Sequence, residues 1–197
     1  MFEVRIHGRG GQGVVTAAEM MSIAAFEENH HAQAFPNFGS ERTGAPVVAY
    51  CRIDSKEIRL REPIMQPDAL IIQDPTLLHQ IDVFAGLKQN GFVLINSKNS
   101  FEKLGLAEMA ASWAPDRLCL LPATELALKH VGRPVPNVPL LAGFAALSGM
   151  IKLESVCNAI NAKFSGKVAQ GNVAAATEAY ELVRAHVETS RKETAHA

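Results

Sequence analysis

The sequence predicts a Rossmann-like α/β domain: a single doubly wound, mostly parallel sheet with helices on both faces. Three observations predict it. The chain opens with an apolar strand that runs straight into a glycine-rich turn and then a helical pattern. Short strand-like apolar runs recur as far as residue 121. The C-terminal third carries only helical periodicity. Alternating strands and helices bury their apolar faces most simply as a parallel sheet between layers of helix.

The elements follow in order. Phe2–His7 reads as a strand, Gly8–Gly13 as a turn, and residues 14–26 as a helix with Val14, Ala18, Met21 and Ala25 at three- and four-residue steps. Residues 31–35 form a short second strand. Residues 36–46, with two prolines, two glycines and a pair of central charges, form a loop. Val47–Ile53 and Glu57–Leu60 are strand-like about a turn at Asp54-Ser55-Lys56. Ala69–Ile72 is a buried strand, followed by a helix that places Leu77, Ile81 and Phe84 on one face and stops at Gly86. Phe92–Ile95 and Leu118–Leu121 complete the sheet. Leu140–Met150 is nearly all apolar, as in a buried helix. Two amphipathic stripes follow, Leu153–Phe164 and Val173–Val187.

The chain has 197 residues, enough for one well-buried domain, which is expected to span residues 1–187, with 188–197 as a polar, flexible tail. The formal net charge of −1 excludes a general electrostatic pull toward nucleic acid or anionic membrane. No apolar run approaches the roughly 20 residues that a membrane helix needs, and the N-terminus lacks the pattern of a signal peptide. A cytoplasmic location is expected. Cys51, Cys119 and Cys157 lie far apart and form no CxxC pair, so they read as small core residues and not as metal ligands. Met20 and Met21 read as core filler. His30 and His31 are adjacent on a strand and point to opposite faces, which makes joint metal ligation awkward. Asp74-Pro75 reads as a strand end and a helix start.

Gly8, Gly10 and Gly13 match GxGxxG between a strand and a helix. Glycines permit a tight turn and let a ligand approach the backbone. The free N–H groups and the helix dipole at that end favour an anion such as phosphate, and Arg9 can add a charge-assisted contact. A nicotinamide dinucleotide further requires an acidic residue at the end of the second strand, about 20 positions on. The second strand ends in Ala34-Phe35-Pro36, with no carboxylate. Three readings stay open: some other phosphate-bearing ligand, a dinucleotide, or a turn that only packs.

His7-Gly8-Arg9-Gly10-Gly11-Gln12-Gly13-Val14 resembles the opening signature of the gamma subunit, or gamma domain, of pyruvate:ferredoxin oxidoreductases and their relatives. Further segments resemble that family in order and spacing: Ser40–Gly44 with Pro46-Val47-Val48, Pro67–Leu70 leading to Asp74, Gly91–Asn96, and Asn137–Gly143. The likeness covers residues 2–185. It implies a subunit of an enzyme that oxidatively decarboxylates a 2-oxo acid with coenzyme A to acyl-CoA, carbon dioxide and two electrons. Pyruvate is the default substrate; 2-oxoglutarate, branched-chain and aryl 2-oxo acids such as phenylglyoxylate are alternatives. The resemblance places thiamine diphosphate, Mg2+ and [4Fe-4S] clusters on partner chains: alpha and beta subunits and a ferredoxin-like subunit that passes electrons to ferredoxin or another acceptor. This chain carries no catalytic residue and no metal site in that reading. Its candidate contacts, to phosphates of coenzyme A, are Gly8, Arg9, Gly10, Gly11, Gln12, Gly13, Ser40 and Arg42. The alternatives are an independent NAD(P)-binding oxidoreductase and a scaffold subunit that binds no ligand.

Overall fold

The computed structural model describes residues 1–37 and 43–195. Six strands form one sheet in the order β2-β3-β1-β4-β5-β6. They are β1 (Phe2–Arg9), β2 (His31–Pro36), β3 (Pro46–Asp54), β4 (Ala69–Ile72), β5 (Phe92–Asn96) and β6 (Leu118–Leu121). The pairs β1–β4, β4–β5 and β5–β6 are parallel. Strand β3 runs antiparallel to both β1 and β2, so every strand but β3 points the same way.

Alternation along the strands gives the sheet two unlike faces. Val4, Ile6, Ala49, Cys51, Ile71, Leu94 and Leu121 meet a thick helical layer in one large core. That layer comprises α1 (Val14–Glu27), α4 (Asn137–Ser148), α5 (Leu153–Lys163) and α6 (Gly166–Ala195), with α3 (Ala123–Val131) beside α6. Helix α4 is buried almost all round, as its unbroken apolar run requires, because it lies between α6 and the strands. The opposite face is thinner. A 3-10 turn at Pro75–His79, the short α2 (Ala107–Ser112) and irregular segments cover Ile72, Val93, Ile95 and Leu118 there. Where that face lacks a helix altogether, over β1 and β3, two arginines organise the cover. Arg5 donates to the carbonyls of Val83 and Ala85, and Arg52 pairs with Glu3 at 2.9 Å and donates to the Glu62 carbonyl.

Most predicted elements form where they are expected, although α4 begins at Asn137 and α6 at Gly166, ahead of their apolar stripes. Three segments differ further. Glu57–Leu60 is no strand: β3 already has a partner along each edge, so this segment has no ladder to join and its side chains are largely exposed. The helix expected from Leu77 to Gly86 shrinks to the 3-10 turn. The Val83 and Ala85 carbonyls of that segment both turn onto the buried Arg5 guanidinium. Residues 188–195, expected in a flexible tail, continue α6 as helix. Ser190 is buried there, and Arg191 pairs with Asp116 on the turn Pro115–Arg117. Among the described residues no helix is long and apolar enough to cross a membrane.

Candidate functional site

The glycine turn leaves the C-terminal end of β1 and delivers the chain into α1. Its glycines have separate physical reasons. A Cβ on Gly8 would lie 2.6 Å from Val14 Cγ2. Gly13 caps α1 in the left-handed region at φ 71°, and a Cβ there would stand 2.4 Å from Asn137 Nδ2. Among the described residues nothing lies within 4 Å of a notional Cβ on Gly11 (φ 94°), so none of them closes its outer side. The first N–H groups of α1 have no intrahelical acceptor. No acidic side chain occupies the helix's first turn, so the helix itself carries no charge there that opposes an anion.

Two hollows meet at Gly11 and Gly13. One, of about 320 Å³, runs along Arg9, Gly10 and the start of α1 as far as Thr16 and Val47. The other, of about 220 Å³, has apolar walls from Val131, Val135, Phe164 and Val168, with Arg133, Asn137 and Asn172 as its polar groups. It lies where the α3–α4 connection and the start of α6 close over the turn. Arg133 is exposed and makes no ion pair among the described residues.

The side chains of Arg9 and Gln12 point inward. Arg9 donates through Nε to Asp74 Oδ2 (3.2 Å), through Nη1 to the Gly44 carbonyl (3.0 Å), and through Nη2 to Thr76 Oγ1 (2.8 Å) and Gln80 Oε1 (2.9 Å). Gln12 Nε2 donates to Asp74 Oδ2 (2.8 Å), and Gln12 Oε1 accepts from the Arg9 backbone N–H (2.8 Å). Burial raises the Asp74 carboxyl, but hydrogen bonds from Thr76 and Gln12, with Arg9 beside it, hold it below the usual carboxylate range. Of the expected anion contacts, the open ones are therefore the backbone N–H groups of Gly11 and Gly13. Ser40 and Arg42 lie outside the described residues. Thr43–Ala45, just after them, pair with Gly10: Gly44 N donates to Gly10 O, and Gly10 N donates to Ala45 O. Sequence reasoning did not single out Arg133, Thr16 or Asn172, which carry no motif. Asn137 stood in a quoted segment, yet its closeness to Gly13 is a tertiary fact.

The dinucleotide reading meets a topological obstacle. The strand beside β1 on the outer side is the antiparallel β3, whose first residue, Pro46, lies opposite Arg9. The parallel strand on the other side, β4, does lead into a carboxylate, but Asp74 is engaged by Arg9, Gln12 and Thr76 and is not free to hold a ribose. The cysteines do not fit an iron–sulfur ligand set. Cys51 and Cys119 are buried on separate strands, with burial pushing each thiol up to about 12. Among the described residues no group of three or more His, Cys, Asp or Glu side chains could hold a metal ion.

Fold and site together define an α/β domain in which a glycine turn joins the first strand of the sheet to the N-terminus of α1. Residues 3–182 match the model of the family described as pyruvate ferredoxin/flavodoxin oxidoreductase. The chain is 46% identical over 181 residues to the common gamma subunit of the pyruvate/ketoisovalerate oxidoreductases of Pyrococcus abyssi, covering 92% of this chain and 96% of that one. Its fold is similar to the crystal structure of pyruvate oxidoreductase subunit PORC from Thermotoga maritima (TM-score 0.76, 33% identity, 91% of this chain and 95% of that one). It also shares a fold with part of a 2-oxoglutarate:ferredoxin oxidoreductase from Magnetococcus marinus, at TM-score 0.69 and 15% identity, covering 95% of this chain and 31% of that longer one. The chain belongs to the pyruvate ferredoxin/flavodoxin oxidoreductase family, as a gamma-type subunit of an oxidoreductase complex.

Proposed function

We propose that this subunit serves a complex that converts a 2-oxo acid and coenzyme A to acyl-CoA, carbon dioxide and low-potential electrons, and that its glycine turn contributes to the coenzyme A path. The observation that carries the second part is the outer side of Gly11 at the N-terminus of α1, which no described residue closes and where two hollows converge. One offers backbone donors for a phosphate. The other offers apolar walls and the free guanidinium of Arg133, which suit a ligand with both anionic and apolar parts. The Magnetococcus marinus protein that shares the fold was solved with 2-oxoglutarate, coenzyme A and succinyl-CoA bound.

In this reading alpha and beta subunits hold thiamine diphosphate and Mg2+, a ferredoxin-like subunit holds the [4Fe-4S] clusters, and ferredoxin is the acceptor. The complex works in the cytoplasm, without nucleic acid or membrane. Pyruvate is the first substrate to try, because the Pyrococcus relative is named for pyruvate and ketoisovalerate and the Thermotoga one for pyruvate.

The test is a tagged purification from the native host. The purified material is then assayed for viologen reduction with coenzyme A and, in turn, pyruvate, a branched-chain 2-oxo acid, 2-oxoglutarate and phenylglyoxylate. Co-purification of thiamine diphosphate and iron–sulfur subunits, with activity, supports the reading and names the substrate. In the same complex, Gly11→Val is expected to raise the KM for coenzyme A while leaving that for the oxo acid within about twofold, less than the 1.4 kcal/mol that makes a tenfold change. Full activity with an unchanged coenzyme A KM would favour a subunit whose turn only packs.

A further inference from the structure

Asp74 has more partners than a helix cap needs. Capping the turn at Pro75–His79 takes one bond, from the Thr76 backbone N–H to Oδ1 at 3.0 Å, with the Thr76 hydroxyl on the same oxygen. The other oxygen, Oδ2, accepts from Arg9 Nε and Gln12 Nε2, on residues more than sixty positions earlier in the chain. Gln12 then reaches back to the Arg9 backbone N–H. One carboxylate at the end of β4 thus holds both the beginning and the middle of the glycine turn. Both side chains of the ion pair are largely buried, Arg9 at 21% and Asp74 at 13% exposure. The pair is neutral as a unit. Asp74 therefore adds little repulsion toward an anion at Gly11, while Arg9 is kept from collapsing across the turn.

We propose that Asp74 is the positioning residue of the glycine turn, fixing Arg9 and Gln12 so that the backbone N–H groups of Gly11 and Gly13 are arrayed before the anionic ligand arrives. Preorganised donors give up no ordering entropy on binding. The inference rests on the reading of this turn as a coenzyme A contact, and it commits a carboxylate that touches no ligand to the affinity for that ligand.

The experiment uses the assembled complex and titrates coenzyme A calorimetrically. In Asp74→Asn, either orientation of the amide places an NH2 group against two donors, because each carboxylate oxygen accepts two. The Kd for coenzyme A is expected to rise about tenfold, the scale of one lost charge-assisted bond. The coenzyme A KM should follow, with kcat at saturation and the oxo-acid KM within about twofold by the same scale. Amide exchange of residues 9–14 without ligand should speed up, and Asp74→Glu should recover part of the affinity. Gln12→Met, which removes one of the two bonds to Oδ2 and keeps the carboxylate, should weaken binding also and serves if Asp74→Asn fails to assemble. A lowered melting temperature in Asp74→Asn with unchanged coenzyme A affinity would overturn the proposal and leave Asp74 a cap. Gly11→Val separates the two ideas. If it too leaves coenzyme A affinity unchanged, the ligand reading fails; if it weakens binding where Asp74→Asn and Gln12→Met do not, only the positioning role fails.

Discussion

The Nδ2 of Asn137 donates to the carbonyl oxygen of Gly13 at 3.4 Å, so the first residue of α4 meets the residue that caps α1. This contact leaves no volume for a side chain on Gly13. Gly13→Ala must adopt the left-handed backbone, about 1–2 kcal/mol, and must also displace Asn137, a further ~1–3 kcal/mol of overpacking. Gly11→Ala meets the backbone term alone, since no described residue closes its outer side. Urea unfolding is expected to show Gly13→Ala the more destabilised by at least ~1 kcal/mol. Adding Asn137→Ala should return part of the difference. Equal losses at the two glycines would refute the close approach.

That pair also marks where the sequence stops being legible. The strands and the long helices are readable because their periods of 2 and 3.6 are imposed by burial against one core, and Ala69–Ile72 and Leu118–Leu121 form at the expected residues. The glycine spacing reveals the turn for a related reason, since the positive φ of Gly11 and Gly13 asks for glycine whatever the tertiary partners. What the sequence hides depends on distant partners. Nothing near Leu77–Gly86 announces that Arg5, some 80 residues earlier, takes two of that segment's carbonyls. Nothing near Arg9 announces Asp74, so a side chain that reads as a phosphate ligand is engaged within the protein. The apolar-walled hollow is hidden too: Arg133, Phe164 and Val168 come from separate connections and helices, and their meeting is a product of packing.

His7 should make stability depend on pH in a defined window. It is 5% exposed, neither ring nitrogen has a partner among the described residues, and burial, with Arg5 adding to it, lowers its pKa from 6.5 to about 4. The folded state resists protonation, whereas the unfolded chain takes up the proton near 6.5. Between those values the unfolded state binds more protons, so stability rises with pH there. The contribution is complete above about 6.5 and is lost as pH falls toward 4, up to about 3 kcal/mol in all. Denaturant titrations between pH 4 and 7.5 are expected to show this slope in the natural chain and a flatter one in His7→Leu. Parallel curves would mean that His7 is protonated or hydrated in the folded protein.

Arg52, at 1% exposure, is the largest of the fully buried side chains and joins two things: the Glu3 carboxylate and the irregular segment at Glu62. Its guanidinium also lies over the Phe35 ring, 5.2 Å from the centroid. Removing one partner of a buried pair leaves the other charge uncompensated, so Arg52→Ala is expected to cost about 3–5 kcal/mol. Lys88, 4.0 Å from Glu3, sets the loss toward the lower end of that range. Glu3→Gln in the same background should recover part of it. Recovery shows as a non-additive double-mutant cycle in chemical denaturation, and strict additivity would mean that the pair contributes only through packing.

At Gly143, in the middle of α4, two effects oppose each other and the geometry decides between them. On helix propensity alone, Ala is better than Gly by roughly 1 kcal/mol. A Cβ at this position would lie 2.9 Å from Leu121 Cδ2, 3.2 Å from Leu94 Cδ2 and 3.3 Å from Val183 Cγ2. All three neighbours are buried in the main core, with strands on one side and α6 on the other, so none has empty space to move into. Overpacking of this kind costs ~1–3 kcal/mol and is expected to outweigh the propensity. Gly143→Ala should therefore lower stability by about 1 kcal/mol, and Leu121→Ala in the same chain should be less harmful than it is alone. Thermal or urea unfolding of the four proteins reads this directly. A stabilised Gly143→Ala would show that α4 can lift from the sheet at little cost, and that its glycine answers to something other than close packing.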